Sequence, residues 1–387
     1  MTYENIKLVK DTISLENINS LIDWLKTNPQ LTKGELTKEF EKKWSDWLGV
    51  KHSVFMNSGS SANLAMFYSL ILSKKLKNKK IIVPAVSWVT TVSPVIQLGL
   101  EPIMCDCDTD NLGLNINHLK KIIKKEKPSC LILVHVLGIP NNMTEIIELC
   151  EKNDIIILED TCEAVGSKFQ EKKLGSFGLM SSFSFYYGHH MSTIEGGMVS
   201  TNDDEFYEIL LSIRSHGWDR DLPETKKKLL RKKYKVDEFK ALYTFYNPGF
   251  NLRSTDLQAF LGLEQLRTLD EIIDKRNKNF EYYNKFLNDK IWKPTPPKNS
   301  FVSNFAYPII TKKINQLVDV LNSESIECRP LICGSISEQP FWYERYGKQK
   351  LPYAKNVHKF GLYLPNHQNI SVDEIKFICN IINKILS

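Results

Sequence analysis

Two adjacent histidines, His189 and His190, follow an aromatic run in Ser184-Phe185-Tyr186-Tyr187-Gly188-His189-His190-Met191-Ser192-Thr193-Ile194-Glu195-Gly196-Gly197. Imidazole both takes and gives a proton near neutral pH, so acid–base chemistry is the first reading. The run Phe183 to Tyr187 reads as a strand, ending in a turn that carries the titratable side chains. Neighbours on a strand point to opposite faces, so one of the two histidines at most serves a given site. A surface pair without chemistry is the plain alternative. A metal site is another, but no third ligand is evident.

Three further stretches carry chemistry. Asn57-Ser58-Gly59-Ser60-Ser61-Ala62-Asn63-Leu64 follows the short strand 52–56 and opens a helix. Free backbone N–H groups at such a helix start suit a phosphate, although a simple capped start reads equally well and no P-loop pattern is present. Trp88 follows the strand 80–84, and Asp160 closes the apolar strand 155–160. Cys105-Asp106-Cys107 is either a ligand pair or a strand end with small core thiols.

The elements that must position these residues alternate strand and helix. Helices are expected over 15–27 and 36–48, the second on Leu36, Phe40, Trp44, Trp47 and Leu48 with Gly49 as C-cap. Strands are expected at 80–84, 101–106, 129–135 and 155–160, with helices from 92, over 115–125 and over 143–152. This rhythm predicts an α/β fold with a mostly parallel sheet covered on both faces. Ligands in such folds sit at the carboxyl ends of the strands, where Ser58–Ser61, Trp88, Asp160 and His189 all fall. Further helices are expected at 205–215, 255–269 and 269–289, with a polar, basic loop containing some helix over 219–247. The tail reads as a second α/β unit, with strands 304–310 and 325–330 and helices 314–323 and 372–386.

A chain of 387 residues suits two domains. No stretch approaches the ~18 apolar residues of a membrane helix. The N-terminus lacks a signal pattern, so no membrane partner and a cytoplasmic location are expected. The net charge of +6 sits partly in Lys226-Lys227-Lys228 and Arg231-Lys232-Lys233, a run that reads as a solvated helix face. Without a broad basic face carrying aromatics, no nucleic-acid partner is expected.

The ordered set NSGSSANL (57–64), PAVSWVTT (84–91), LEDTCEAVGS (158–167), SFSFYYGHHMSTIEGG (182–197), RSHGW (214–218), NPGFNLR (247–253) and ECRP (327–330) resembles the sugar aminotransferase (DegT/DnrJ/EryC1/StrS) family. The resemblance covers the chain from about residue 30 onward. It implies a pyridoxal-phosphate (PLP) enzyme of fold-type I, like aspartate aminotransferase. The implied parts are an N-terminal segment (1–30), a large PLP-binding domain with a mostly parallel sheet (31–250), and a smaller C-terminal α/β domain (251–387). It also implies a homodimer with a shared active site.

The departure is at position 189, where the family carries the lysine that bonds covalently to PLP. A histidine there resembles the 3-dehydratase branch of the family. The resemblance then implies these roles: Asp160 on the pyridine nitrogen; Trp88 stacked on the ring; Gly59, Ser60 and Ser184 on the phosphate; Asn251 reaching a phosphate from the partner subunit; and Glu163 near the ring. His216, Arg253 and Arg329 are candidate contacts to substrate. PLP, and pyridoxamine phosphate (PMP) formed with L-glutamate, would be held without a covalent link. His189 would take a proton at the cofactor and return one to the departing 3-hydroxyl of a nucleotide-linked 4-keto-6-deoxy sugar. The product would be a 3-deoxy-4-keto sugar, with ammonia released. GDP-4-keto-6-deoxymannose is one implied substrate and a GDP-4-keto-6-deoxyheptose another. Gly188 is expected to remove a side chain from the site wall, and 219–247 to line the sugar pocket. An aminotransferase and a silent PLP-binding protein are the alternatives. No iron–sulphur cluster is expected, since no cysteine lies between Cys162 and Cys328.

Overall fold

The computed structural model describes residues 5–386. Two helices, α1 (Leu15–Lys26) and α2 (Glu35–Leu48), precede β1 (His52–Met56) and α3 (Gly59–Ser73). Strands and helices then alternate through β2 (Lys80–Pro84), α4 (Val89–Gln97), β3 (Glu101–Cys105), α5 (Ile116–Glu126), β4 (Cys130–Val134), α6 (Met143–Lys152) and β5 (Ile156–Asp160). Two short strands, β6 (Lys168–Phe169) and β7 (Lys172–Lys173), come before β8 (Met180–Ser184) and β9 (Gly197–Thr201). Helices α7 (Asp204–Arg214), α8 (Glu224–Tyr234), α9 (Glu238–Ala241), α10 (Asp256–Leu266) and α11 (Leu269–Phe286) follow. The rest comprises β10 (Ser300–Phe301), β11 (Tyr307–Ile310), α12 (Ile314–Ser323), β12 (Arg329–Pro330), α13 (Pro340–Tyr346), α14 (Pro352–Phe360), β13 (Gly361–Leu364) and α15 (Val372–Leu386). Among the described residues, no helix is long and apolar enough to cross a membrane.

The main sheet has seven strands in the order β1-β9-β8-β5-β4-β2-β3. β9 runs antiparallel to both of its neighbours, and the other six strands share one direction. Both faces are covered, which is why β4 is apolar throughout. Its Ile132 and Val134 point to the side of α3, α4 and α7, and its Leu131 and Leu133 to the side of α5 and α6. A smaller antiparallel sheet, β11-β13-β12, packs with α12, α15 and the end of α11 around Tyr283, Tyr307, Leu317, Ile375 and Ile378. Helix α11 crosses between the two bodies. Its Leu269 and Ile273 join Phe40, Trp44, Phe183 and Phe185, whereas its Phe280 and Tyr283 join the small core.

Several expectations need correcting. The run to Tyr187 is not all strand: β8 stops at Ser184, and 185–196 is the hairpin loop to β9. The expected tail strands begin too early, at 304 and 325, since β11 starts at Tyr307 and β12 at Arg329, with Ile326 in an isolated bridge. Segment 219–247 does carry the expected helix: α8 holds the basic run and has no buried residue, and its Arg231 pairs with Asp219 and Glu238. Cys105 and Cys107 are buried, and Asp106 between them accepts the Tyr353 and Ala354 amides at the start of α14. That arrangement is a strand end tied to a helix cap.

The N-terminus crosses both bodies. Ile6 pairs with Ile326, and the Leu8 amide donates to the Glu327 carboxylate at 2.9 Å. Gln368 donates to the Asp11 carbonyl at 3.0 Å, and Gln265 of α10 to the Thr12 carbonyl at 2.8 Å. Val9 lies against Gly188, where a Cβ would come 3.0 Å from its Cγ1. The expectation that Gly188 opens the wall is therefore corrected: Val9 fills that space, and the glycine also serves a φ of +91°.

Candidate active site

A cavity of about 980 Å³ lies at the carboxyl ends of β2, β4, β5 and β8. Gly59, Ser60, Trp88, Asp160, Glu163, Ser184, His189 and Arg329 all line it.

The first turn of α3 forms one end. Ser58 caps it, its Oγ accepting the Ser61 amide at 3.0 Å. At Gly59 a Cβ would lie 2.7 Å from Ser184 Cβ and 3.1 Å from Cys162 Sγ, so glycine alone lets the helix start sit on the end of β8. The Ser60 hydroxyl donates to Thr90 Oγ1 at 3.1 Å, joining the first turns of α3 and α4. Backbone N–H groups and hydroxyls here suit a dianion.

Asp160 ends β5 and is 2% exposed. Its Oδ2 accepts from Asn63 Nδ2 at 2.8 Å and from the Thr91 hydroxyl at 2.7 Å, and its Oδ1 accepts the Cys162 amide at 3.2 Å. The Ser182 hydroxyl donates to the Asn63 carbonyl at 2.7 Å and fixes its amide. All three of these neighbours donate to the carboxylate, so it serves as an acceptor on both oxygens. Asn63, Thr91 and Ser182 were not legible as site residues. Their one signal is that they sit in motifs already picked out for other residues.

Glu163 behaves oppositely. Its Oε2 accepts the Leu137 amide at 2.8 Å. Burial pushes its carboxyl up to about 8; the Leu137 N–H opposes this, and Asp160 adds to it. At neutral pH the Glu163 carboxyl is therefore mostly protonated. Trp88 precedes α4 and is 56% exposed, an unusual cost for an indole residue unless something flat covers it.

The hairpin loop presents His189. The loop is closed by the Phe185 amide on the Gly196 carbonyl and the Thr193 amide on the Phe185 carbonyl, both at 2.9 Å. Gln265 accepts the Ser192 amide at 3.2 Å, and Gln258 donates to the Glu195 carbonyl, so α10 fixes the loop from outside. The His189 ring is 5.1 Å from the Phe305 ring, and its buried Nδ1 has no hydrogen-bond partner among the described residues. Burial pulls it down to about 4. Arg276 adds to that, and the Cys162 backbone and Asp160 oppose it. The imidazole is therefore a free base at neutral pH. His190 points away and is fully buried, with Nε2 3.1 Å from the Ser303 carbonyl. One histidine does face the cavity, but a loop separates the pair rather than strand alternation.

Arg329 is exposed at the rim, donating to the Cys328 carbonyl at 2.8 Å. Three candidates lie elsewhere in this chain. His216 borders a separate hollow of about 550 Å³ with Trp218, Tyr243 and Phe245. The Arg253 guanidinium is 5.9 Å from the Trp218 ring. Asn251 is exposed and bridges to Ser215. Segment 219–247 borders that hollow, not the main cavity.

Comparison with known proteins gives a consistent picture. The model of the DegT/DnrJ/EryC1/StrS aminotransferase family matches residues 12–383. The chain is 37% identical over 383 residues to GDP-4-keto-6-deoxy-D-mannose 3-dehydratase of Escherichia coli O55:H7, covering 96% of this chain and 97% of that one. The E. coli GDP-4-keto-6-deoxy-D-mannose-3-dehydratase structure with bound hydrated PLP superposes with a TM-score of 0.89 at 36% identity, covering 97% of this chain and 99% of that chain. A structure of GDP-4-keto-6-deoxymannose-3-dehydratase with a trapped PLP–glutamate geminal diamine also matches with a TM-score of 0.89 at 36% identity, covering 97% and 100%. On sequence and fold together, the chain belongs to the DegT/DnrJ/EryC1/StrS aminotransferase family.

Proposed function

We propose that the protein is a PLP- and PMP-dependent dehydratase that removes the 3-hydroxyl of a GDP-linked 4-keto-6-deoxy sugar, with L-glutamate as amino donor and ammonia released. The observation that carries this reading is His189: an imidazole free base, its Nδ1 unpartnered, stands in the cavity wall where an amine would be needed for a covalent link. Relatives that are named for this reaction and carry PLP or PLP with glutamate support it.

The residues present fit the cofactor. A carboxylate ringed by donors suits a protonated pyridine nitrogen, the glycine-bearing start of α3 suits a phosphate, and the exposed Trp88 ring suits stacking. When bound, the cofactor supplies an electron sink and an amine carrier. The chain does the rest. Asp160 keeps the ring nitrogen protonated. Gly59, Ser60 and Ser184 hold the phosphate in place of a covalent tether. We assign Asn251 to the phosphate of the partner subunit's site in a homodimer, and His216, Arg253 and Arg329 to substrate. His189 takes a proton at C4′ as a base, becomes imidazolium, and returns a proton to the leaving 3-hydroxyl. Glu163, kept neutral, donates a hydrogen bond near the ring without adding a second negative charge. Val9 in the space left by Gly188 favours a hexose over a heptose.

The test is incubation with PLP, glutamate and a panel of nucleotide-linked 4-keto sugars, read by mass spectrometry. The expected product has the 3-hydroxyl replaced by hydrogen, is lighter than the substrate by one oxygen atom, carries no nitrogen, and is matched by one 2-oxoglutarate formed from glutamate, which supplies the two reducing electrons. A stable amino sugar, or full deoxygenation by His189→Ala, overturns the reading.

A further inference from the structure

Arg276, on α11, is 1% exposed and touches no cavity-lining carboxylate; among the described residues no acid pairs with it. Its guanidinium is instead spent on main-chain carbonyls. Nη1 donates to the Phe305 carbonyl at 2.8 Å and to that of Asn366, and Nη2 makes a longer contact of 3.5 Å to the His189 carbonyl. An uncompensated buried cation is costly, and surface helices rarely bury one without reason. Burial lowers its pKa to about 9, which still leaves it charged at neutral pH.

Its three acceptors are the point. His189 is the cavity histidine. Phe305 carries the ring that backs the imidazole at 5.1 Å, and the next residue back, Asn304, donates to the Leu137 carbonyl at 2.8 Å, whose amide holds Glu163. Asn366 closes the circle by donating to the Arg276 carbonyl at 3.2 Å and to Asn304 Oδ1 at 2.9 Å.

We propose that Arg276 is a positioning residue for His189: its fork clamps the backbone on both sides of the imidazole, and its fixed charge adds to burial in favouring the neutral ring. This rests on the proton-transfer reading of His189. The groups acting on the ring are Arg276 from α11, Asp160 and the Cys162 backbone from the end of β5, and burial; the Phe305 side chain facing it is uncharged. Arg276 is the one cation among them.

The test uses ligand-free, isotope-labelled protein. The His189 imidazole signal is assigned by its loss in His189→Asn and titrated in wild type, Arg276→Met and Arg276→Lys. Removing the cation in Arg276→Met should raise the midpoint by about one pH unit, as expected for a nearby like charge. Arg276→Lys keeps a charge but loses the planar fork. Its midpoint should stay near that of wild type, while kcat for conversion of PLP to PMP by glutamate falls about tenfold with KM little changed, about the scale of one misplaced proton-transfer group. A midpoint in Arg276→Met equal to that of wild type, or a kcat in Arg276→Lys equal to that of wild type, overturns the proposal. If Arg276→Met does not fold, Arg276→Lys decides through the kcat comparison. The titration needs neither sugar nor cofactor, so a failure of the dehydratase reading leaves it standing, and the reverse.

Discussion

Glu163→Gln should change how stability depends on pH in a calculable way. The carboxyl moves from 4.5 in the unfolded chain to about 8 in the fold. A folded value raised above the unfolded one gives stability that is fully present below pH 4.5 and lost as pH rises through 8. Between pH 5 and pH 7 that loss is about 2.5 kcal/mol, from 1.36 kcal/mol per unit of linked proton uptake. Buried histidines act the other way. His189 and His367 are each pulled from 6.5 to about 4, mainly by burial and then by Arg276, so their stability is present above 6.5 and lost as pH falls through 4. From pH 7 to pH 5 each forfeits about 2 kcal/mol. His190, also pushed down, by burial first and then by Arg276, adds to this.

Wild type therefore has two opposed slopes in one window, and glutamine removes only one. The amide keeps an acceptor for the Leu137 N–H and nearly the same volume. Urea unfolding of ligand-free wild type and Glu163→Gln at pH 5, 6, 7 and 8 isolates the carboxyl, because the histidine contributions cancel in the difference. The variant should gain on wild type by about 2.5 kcal/mol from pH 5 to pH 7. Parallel profiles, within about 0.5 kcal/mol at every pH, would refute a protonated Glu163.

Three further outcomes are expected. Asp160→Asn places an amide among three donors, and loss of a charge-assisted bond to the cofactor should weaken PLP binding by about 2 to 3 kcal/mol, roughly 30- to 150-fold, in a fluorescence titration. His189→Asn should keep PLP affinity within about threefold yet slow PMP formation at least about 100-fold in stopped flow. Gly59→Ala drives a methyl to 2.7 Å from Ser184 Cβ, and should cost about 1–3 kcal/mol in denaturant unfolding as well as phosphate affinity.

What was legible in the sequence follows from what periodicity encodes. Helices α12 and α15 were read to the residue, and β4 and β5 to within one, because their apolar patterns are strong and bounded by polar turns. β9 was missed: Gly197–Thr201 is short, and its pairing with β1 and β8 is set by partners far off in sequence. That omission explains the misplaced strand end at His189, since the loop makes sense only once β8 and β9 are a hairpin. Gly59, Trp88 and Asp160 could be found because each stands at or just beyond a strand end, and His189 because an imidazole pair stands out whatever the local structure. Asn63 and Ser182 could not, since they act through Asp160, and Arg276 resembled any solvated arginine on an amphipathic helix. The space at Gly188 is taken by Val9, a contact across most of the N-terminal body of the chain that no local pattern encodes.

The crossing of the N-terminal segment has a mechanical consequence. Ile6 is knotted to the small sheet at Ile326, and Thr12 is held by Gln265 on the far body. Once the hold of Gln368 on the Asp11 carbonyl is released, the chain from Ile6 to Thr12 reaches roughly 21 Å when taut. Any breathing of the two bodies is thus on a leash of fixed length, and a probe attached near Lys10 would report its tension.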